Sequence, residues 1–183
     1  MSINSVPTTY AGVRFRSTLE ADWAATLDSF SIVWQYEPEA VQLPSGTLYR
    51  PDFYLPEIAT WLEVKGPHNE RLDKTRELAE AVFCPPGCDP EDGVWEYQLV
   101  VIGRAPERGI VTWQLVDQLG DGGAELVKCP TCGAWWWYSW AGAFGCRKHR
   151  RHGYGDEDLC GTTGEDLPFV RAPRSGQSAG GVA

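Results

Sequence analysis

The chain has 183 residues, a net charge of -9, nine Trp and seven Tyr, enough for one main core and a small additional module. No apolar run approaches the roughly 20 residues of a helical membrane span, so a soluble protein is expected. The acidic balance argues against an indiscriminate nucleic-acid binder, because sequence-independent affinity comes from Lys and Arg neutralising phosphates.

The first residues, MSINSVPTTYAGVRFRS, lack the apolar region of a secretory signal, so a reducing cytoplasm is the expected location. Six cysteines in that setting suggest metal ligands before disulfides. Charge is unevenly spread: Lys128 to Arg151 contains five Lys/Arg and no Asp or Glu.

In chain order, Ser17 to Phe30 sets Leu19, Trp23, Leu27 and Phe30 at the spacing of an amphipathic helix. Ser17 and Glu20 have the form of a capping box. IVWQYEPE reads as a strand, and AVQLPSGTLYRPDFYL as two strands about a Ser45-Gly46 turn. Ala59 to Lys65 is the next strand, and NERLDKTRELAEAVF a helix. CPPGCDPEDG breaks that helix, and WEYQLVVIG is a buried strand. IVTWQLVDQL is helix or strand, its period not deciding. GDGGAEL is expected to be a linker, and RAPRSGQSAGGVA a disordered end with almost nothing to bury.

YRPDFYLPEIATWLEVKG carries the chemistry. A turn at PEIA makes the pairing symmetric about the Glu57/Ile58 bond. Phe53 then faces Leu62, and Asp52 lies opposite Glu63. Like charges so placed repel, and a divalent cation between them would turn repulsion into attraction; hard oxygen ligands suit Mg²⁺. Lys65 shares the face of Glu63. The alternative is an exposed charge ladder, with diagonal pairs Asp52 to Lys65 and Glu63 to Arg50 that stabilise little. On spacing alone the charge ladder is the favoured reading and the metal site the alternative.

RPDF, nine residues and then Glu63-Val64-Lys65, together with Leu19-Glu20 and YEP upstream, resemble the PD-(D/E)XK signature of restriction-endonuclease-like nucleases, in particular phage-type members and transposon end-cleaving endonucleases. The resemblance spans roughly Phe15 to Gly103. It implies an α/β fold with a central mixed sheet flanked by helices, metal-binding carboxylates Asp52 and Glu63, catalytic Lys65, and Glu20 completing the Mg²⁺ or Mn²⁺ site. The capping alternative for Glu20, a bond back to the Ser17 amide, stays open. Glu37 and His68 are lesser candidates. Arg71 and Lys74 would track the DNA backbone, as basic residues there do in similar nucleases, or form a solvated helix face.

Cys129-x2-Cys132 and Cys146-x2-His149 have the spacing of a structural, tetrahedral Zn²⁺ site, with Cys160 or His152 as substitutes for His149. Cys84 and Cys88 lack a second pair and read as loop thiols. Between the knuckles AWWWYSWAGAF reads as a hairpin. RKHRRH follows, and its Arg147, Lys148, Arg150 and Arg151 form an expected phosphate-contacting patch.

The organisation expected is a nuclease-like domain over 10–120, a zinc ribbon over 126–160 and a disordered tail over 170–183. The function expected is metal-dependent endonucleolytic hydrolysis of DNA, in the cytoplasm of a bacterial host if phage-encoded. The alternative is a non-catalytic nucleic-acid- or protein-binding protein on the same scaffold. The resemblance also allows a homodimer or a partner protein, although the sequence carries no coiled-coil signal.

Overall fold

In the computed structural model, residues 5–65, 73–83, 98–102, 113–117, 120–129, 132–139 and 169–174 are described. The chain opens with a hairpin, β1 (Thr8–Tyr10) and β2 (Val13–Phe15), turned through Ala11 and Gly12, both at positive φ. Helix α1 (Thr18–Ser29) follows directly. Ser17 caps it, its hydroxyl accepting the Glu20 amide at 3.1 Å. At the other end Ser31 stands in the left-handed region at φ 57°. Its amide donates to the Asp28 carbonyl, and that of Ile32 to the Leu27 carbonyl, the two bonds of a Schellman ending. Ile32 is thereby turned into the core.

The central feature is a mixed seven-stranded sheet in the order β11-β10-β9-β8-β7-β6-β3. Its members are β3 (Gln35–Tyr36), β6 (Phe53–Leu55), β7 (Thr60–Val64), β8 (Gln98–Ile102), β9 (Trp113–Asp117), β10 (Gly120–Lys128) and β11 (Trp135–Ser139). Strands β7 and β8 run parallel and the other pairs antiparallel. Between β3 and β6 a separate two-stranded sheet, β4 (Val41–Gln42) with β5 (Leu48–Tyr49), turns at Ser45 and Gly46. The arrangement is a mixed α/β one.

Helix α1 packs Trp23, Ala24 and Leu27 with Phe15 and Ile32 against Phe53, Leu55 and Leu62 of the sheet. The predicted stripe is right in kind, with Trp23 and Leu27 fully buried. Yet every residue from Glu20 to Leu27 is buried, including Asp22 and Thr26. The expected wet face of the helix is covered by Phe169–Arg174. Phe169 meets Trp23 edge-on at 5.0 Å. The Val170 amide donates to Thr26 Oγ1 and the Ala172 amide to Asp22 Oδ1, while Arg174 Nη2 lies 2.9 and 3.0 Å from the two Asp22 oxygens. Disorder from residue 170 onward is therefore corrected for 170–174. Backbone amides and one arginine fasten this segment to buried polar groups that need partners, and Phe169, Val170 and Ala172 add apolar contact with the core.

Two further expectations change. GDGGAEL is no linker: it lies in the nine-residue strand β10, whose glycine-rich half pairs with β9 and whose other half pairs with β11. Ladder bonds from both neighbours override the low strand propensity of glycine. The undecided stretch before it contains a strand, β9. Helix α2 (Asp73–Phe83) packs near β8 and β9 and is joined to the β4–β5 turn, where Glu77 accepts the Ser45 amide and hydroxyl. No helix among the described residues is long and apolar enough to cross a membrane.

Candidate active site

The register between β6 and β7 pairs Phe53 with Leu62, Tyr54 with Trp61 and Leu55 with Thr60. This is the symmetry read from the sequence, and its continuation places Asp52 opposite Glu63. Both carboxylates are buried, at 3% and 7% exposure, while Arg50 is exposed. The solvated ladder does not describe them. Asp52 turns to Arg16 and Glu63 to Lys65, so neither diagonal pair of that ladder is formed.

Asp52 sits just before β6. Its Oδ2 accepts the Val64 amide at 2.8 Å, which fixes the carboxylate against β7, and its Oδ1 is ion-paired with Arg16 Nη2. Burial, then the Glu63 charge, push its pKa up to about 7, with Glu20 adding to the rise and the Val64 amide and Arg16 opposing it. Glu63 Oε1 takes Lys65 Nζ at 2.7 Å, whereas Glu63 Oε2 is buried and lies within close hydrogen-bond distance of no donor among the described residues, although the Tyr49 hydroxyl interacts with this carboxylate. A buried carboxylate oxygen without a close donor is costly, and a cation is one of the few groups that satisfies it.

Glu20 does more than cap. Its Oε1 accepts the Ser17 hydroxyl at 2.9 Å, and its Oε2 accepts the Tyr36 hydroxyl at 2.5 Å and the Arg16 amide at 3.2 Å. The back-bond expected to Ser17 N is thus made one residue earlier, to Arg16 N. Burial, then the hydrogen bond to Glu20, push the Tyr36 hydroxyl up to about 12, so it stays a donor across the physiological range. Across the site Tyr49, its hydroxyl 3.0 Å from Thr75 Oγ1 of α2, lies beside Glu63; burial and then that charge raise its pKa.

Arg16 joins these acids. Besides Asp52 it meets Glu37 Oε1 at 3.1 Å and Glu20 Oε2 at 3.8 Å, both through Nε. Burial disfavours its charge, but Asp52 and Glu20 outweigh that and raise its pKa. Glu37 is held for this role in the left-handed region at φ 44°, its amide donating to the Asp52 carbonyl at 2.8 Å. Strained non-glycine backbone of this kind gathers at functional sites.

The site therefore brings Asp52, Glu63 and Lys65 together and links Glu20 to them through Arg16. Among the described residues no three His, Cys, Asp or Glu side chains are grouped closely enough to hold a metal ion. The three-carboxylate set of Glu20, Asp52 and Glu63 is not closed in this conformation, because Asp52 Oδ1 and Glu20 Oε2 face the guanidinium. The donors nonetheless fit a hard divalent cation: oxygens only, one of them buried with no close donor among the described residues. Sequence reasoning missed Arg16, Tyr36 and Tyr49. The YEP stretch did hold Tyr36, but its role depends on a partner 16 residues upstream.

The turn that carries Cys129 and Cys132 is closed by two backbone bonds. The Gly133 amide donates to the Cys129 carbonyl and the Cys129 amide to the Ala134 carbonyl, each at 2.8 Å, with Gly133 at φ 69°. Cys129 is buried and Cys132 exposed. Trp135 packs inward, its indole N–H donating to the Phe30 carbonyl at 2.9 Å, with Lys128 Nζ 5.5 Å from its ring centre. Cys146, His149 and their substitutes His152 and Cys160, the patch Arg147, Lys148, Arg150 and Arg151, and also His68, Arg71, Cys84 and Cys88 lie outside the described residues. Lys74 is exposed in the first turn of α2. No protein-family model matches the chain, and no curated protein matches it.

Proposed function

We propose that this protein is a Mg²⁺- or Mn²⁺-dependent deoxyribonuclease on a restriction-endonuclease-like scaffold, with a zinc ribbon assisting DNA binding. The observation that supports it most is the pair Asp52 and Glu63: two buried carboxylates in facing register, one oxygen with no close donor among the described residues, with Lys65 on the second acid. Burying two like charges side by side is destabilising unless something uses them.

Asp52, Glu63 and Glu20 would hold the divalent cation, which supplies polarisation of the phosphate and activation of water. Val64 N–H keeps Asp52 oriented, leaving Oδ1 to face the Arg16 guanidinium. Lys65, held 2.7 Å from Glu63, sets a compact positive charge beside the acids, where it can stabilise charge developing on a phosphate oxygen. Tyr36 fixes the Glu20 carboxylate and Tyr49 walls the side of Glu63. Around the knuckle, the β10–β11 hairpin extends the same sheet, so a metal closing Cys129 and Cys132 with a second pair would anchor the cationic stretch to the body that bears the acids.

The experiment is incubation of purified protein with supercoiled, linear, single-stranded and branched DNA plus Mg²⁺ or Mn²⁺. Cleavage that Asp52→Ala and Lys65→Ala abolish is the expected result. DNA binding without cleavage under all these conditions would favour the binding-protein alternative.

A further inference from the structure

We infer that Arg16 is a built-in counter-ion that shares the carboxylates with the catalytic cation and must leave Asp52 before that cation can bind. The inference rests on the nuclease reading of the same site. Three observations carry it. The guanidinium sits on Asp52 Oδ1, the oxygen left over after Val64 N–H takes Oδ2, and its Nε reaches Glu37 and Glu20. The side chain is 58% exposed, whereas Asp52 and Glu20 are buried, so it approaches from solvent and can swing back into it. The backbone stays in place when it does, because the Arg16 amide is held by Glu20 Oε2 and the Tyr36 hydroxyl at 3.2 and 3.0 Å.

Charge explains the need. Without a cation the cluster Glu20, Glu37, Asp52 and Glu63 faces Arg16 and Lys65, and like charges this close raise the cost of folding. Arg16 offsets that cost and simultaneously keeps the three metal-binding carboxylates from closing on one point. Glu63 Oε2, which Arg16 does not touch, has no close donor among the described residues. Binding of the cation then frees a guanidinium at the rim of the site.

Mn²⁺ binding, followed by electron paramagnetic resonance in wild type, Arg16→Met, Arg16→Lys and Asp52→Asn, tests this without turnover. Arg16→Met should bind Mn²⁺ about 3- to 10-fold tighter than wild type, the range expected for losing a half-exposed competing ion pair. Arg16→Lys, which keeps the charge but not the planar fork, should lie between them, and Asp52→Asn should bind weakest. Thermal melting in chelator guards against a misfolded variant: Arg16→Met should melt lower than wild type without metal and recover more on adding Mn²⁺. Equal or weaker Mn²⁺ binding by Arg16→Met, with Asp52→Asn still impaired, means that Arg16 only orients Asp52, and the inference is overturned while the metal site stands. Absence of Mn²⁺ binding in every protein at millimolar concentration would sink both.

Discussion

Replacing Asp52 by Asn tests the electrostatics of the site through stability alone. In the metal-free protein the folded-state pKa of Asp52 is about 7, against an ordinary value of 3.8. A carboxyl whose pKa rises on folding gives the native state its full relative stability below the unfolded value and loses it as pH climbs through the folded one. The difference is about three pH units, worth on the order of 4 kcal/mol in all. Between pH 5 and pH 8 the share lost is about 2 to 3 kcal/mol. Asp52→Asn cannot titrate, so its stability should fall less over that interval by about the same amount. Urea unfolding in chelator at half-unit pH steps measures this as a midpoint difference of about 1 to 2 M. Saturating Mg²⁺ should remove the penalty at pH 8 more than at pH 5, where the ion must displace a proton. Parallel pH curves for wild type and Asp52→Asn would refute the burial and charge-coupling account.

Lys65→Ala and Glu63→Gln should each lower Mg²⁺-dependent nicking of supercoiled DNA by about 100-fold or more; Glu63→Gln should leave the melting temperature nearly intact, since it removes a buried charge beside Asp52, whereas Lys65→Ala should lower it, since Glu63 is then buried without its counter-ion. Ser17→Ala should cost about 1 kcal/mol of stability through the lost cap, whereas Glu20→Gln should keep the cap and lose activity, a separation read by combining urea unfolding with a nicking assay. Arg174→Ala should cost about 1 to 3 kcal/mol through loss of charge-assisted bonds to Asp22, and truncation after residue 168 should expose Trp23 and red-shift its fluorescence. Cys129→Ser should lower bound zinc, expected at one ion per chain by elemental analysis, and destabilise the β10–β11 end of the sheet.

The parts legible in the sequence were those governed by local periodicity. The α1 stripe with its Ser17 cap, the Ser45-Gly46 turn and the Asp52/Glu63 register each follow from spacings within about a dozen residues. What was missed depends on partners far along the chain. Val170–Arg174 looked like a tail because composition reports what a segment can bury, whereas this one binds through amides to Thr26 and Asp22, 144 and 150 residues away. GDGGAEL looked like a linker because glycine hides the ladder bonds its neighbours supply. Arg16 carries no motif: it gains meaning only because capping by Ser17 aims the residue before it at the end of β6.

That placement bears on how an acidic chain could handle a polyanion. With a net charge of -9 and four carboxylates gathered around Arg16 and Lys65, the metal-free protein would repel phosphate where it would need to receive it. A bound divalent cation would add two positive charges there and, by displacing Arg16 from Asp52, would free a third. DNA affinity at these carboxylates should then depend on the cation, and it should weaken with salt far less steeply without it, because fewer cationic groups then meet phosphate. Titrating labelled DNA at several NaCl concentrations, with Ca²⁺ or with chelator, measures both slopes. Equal slopes would place DNA binding away from the carboxylates, on cationic surface elsewhere in the chain.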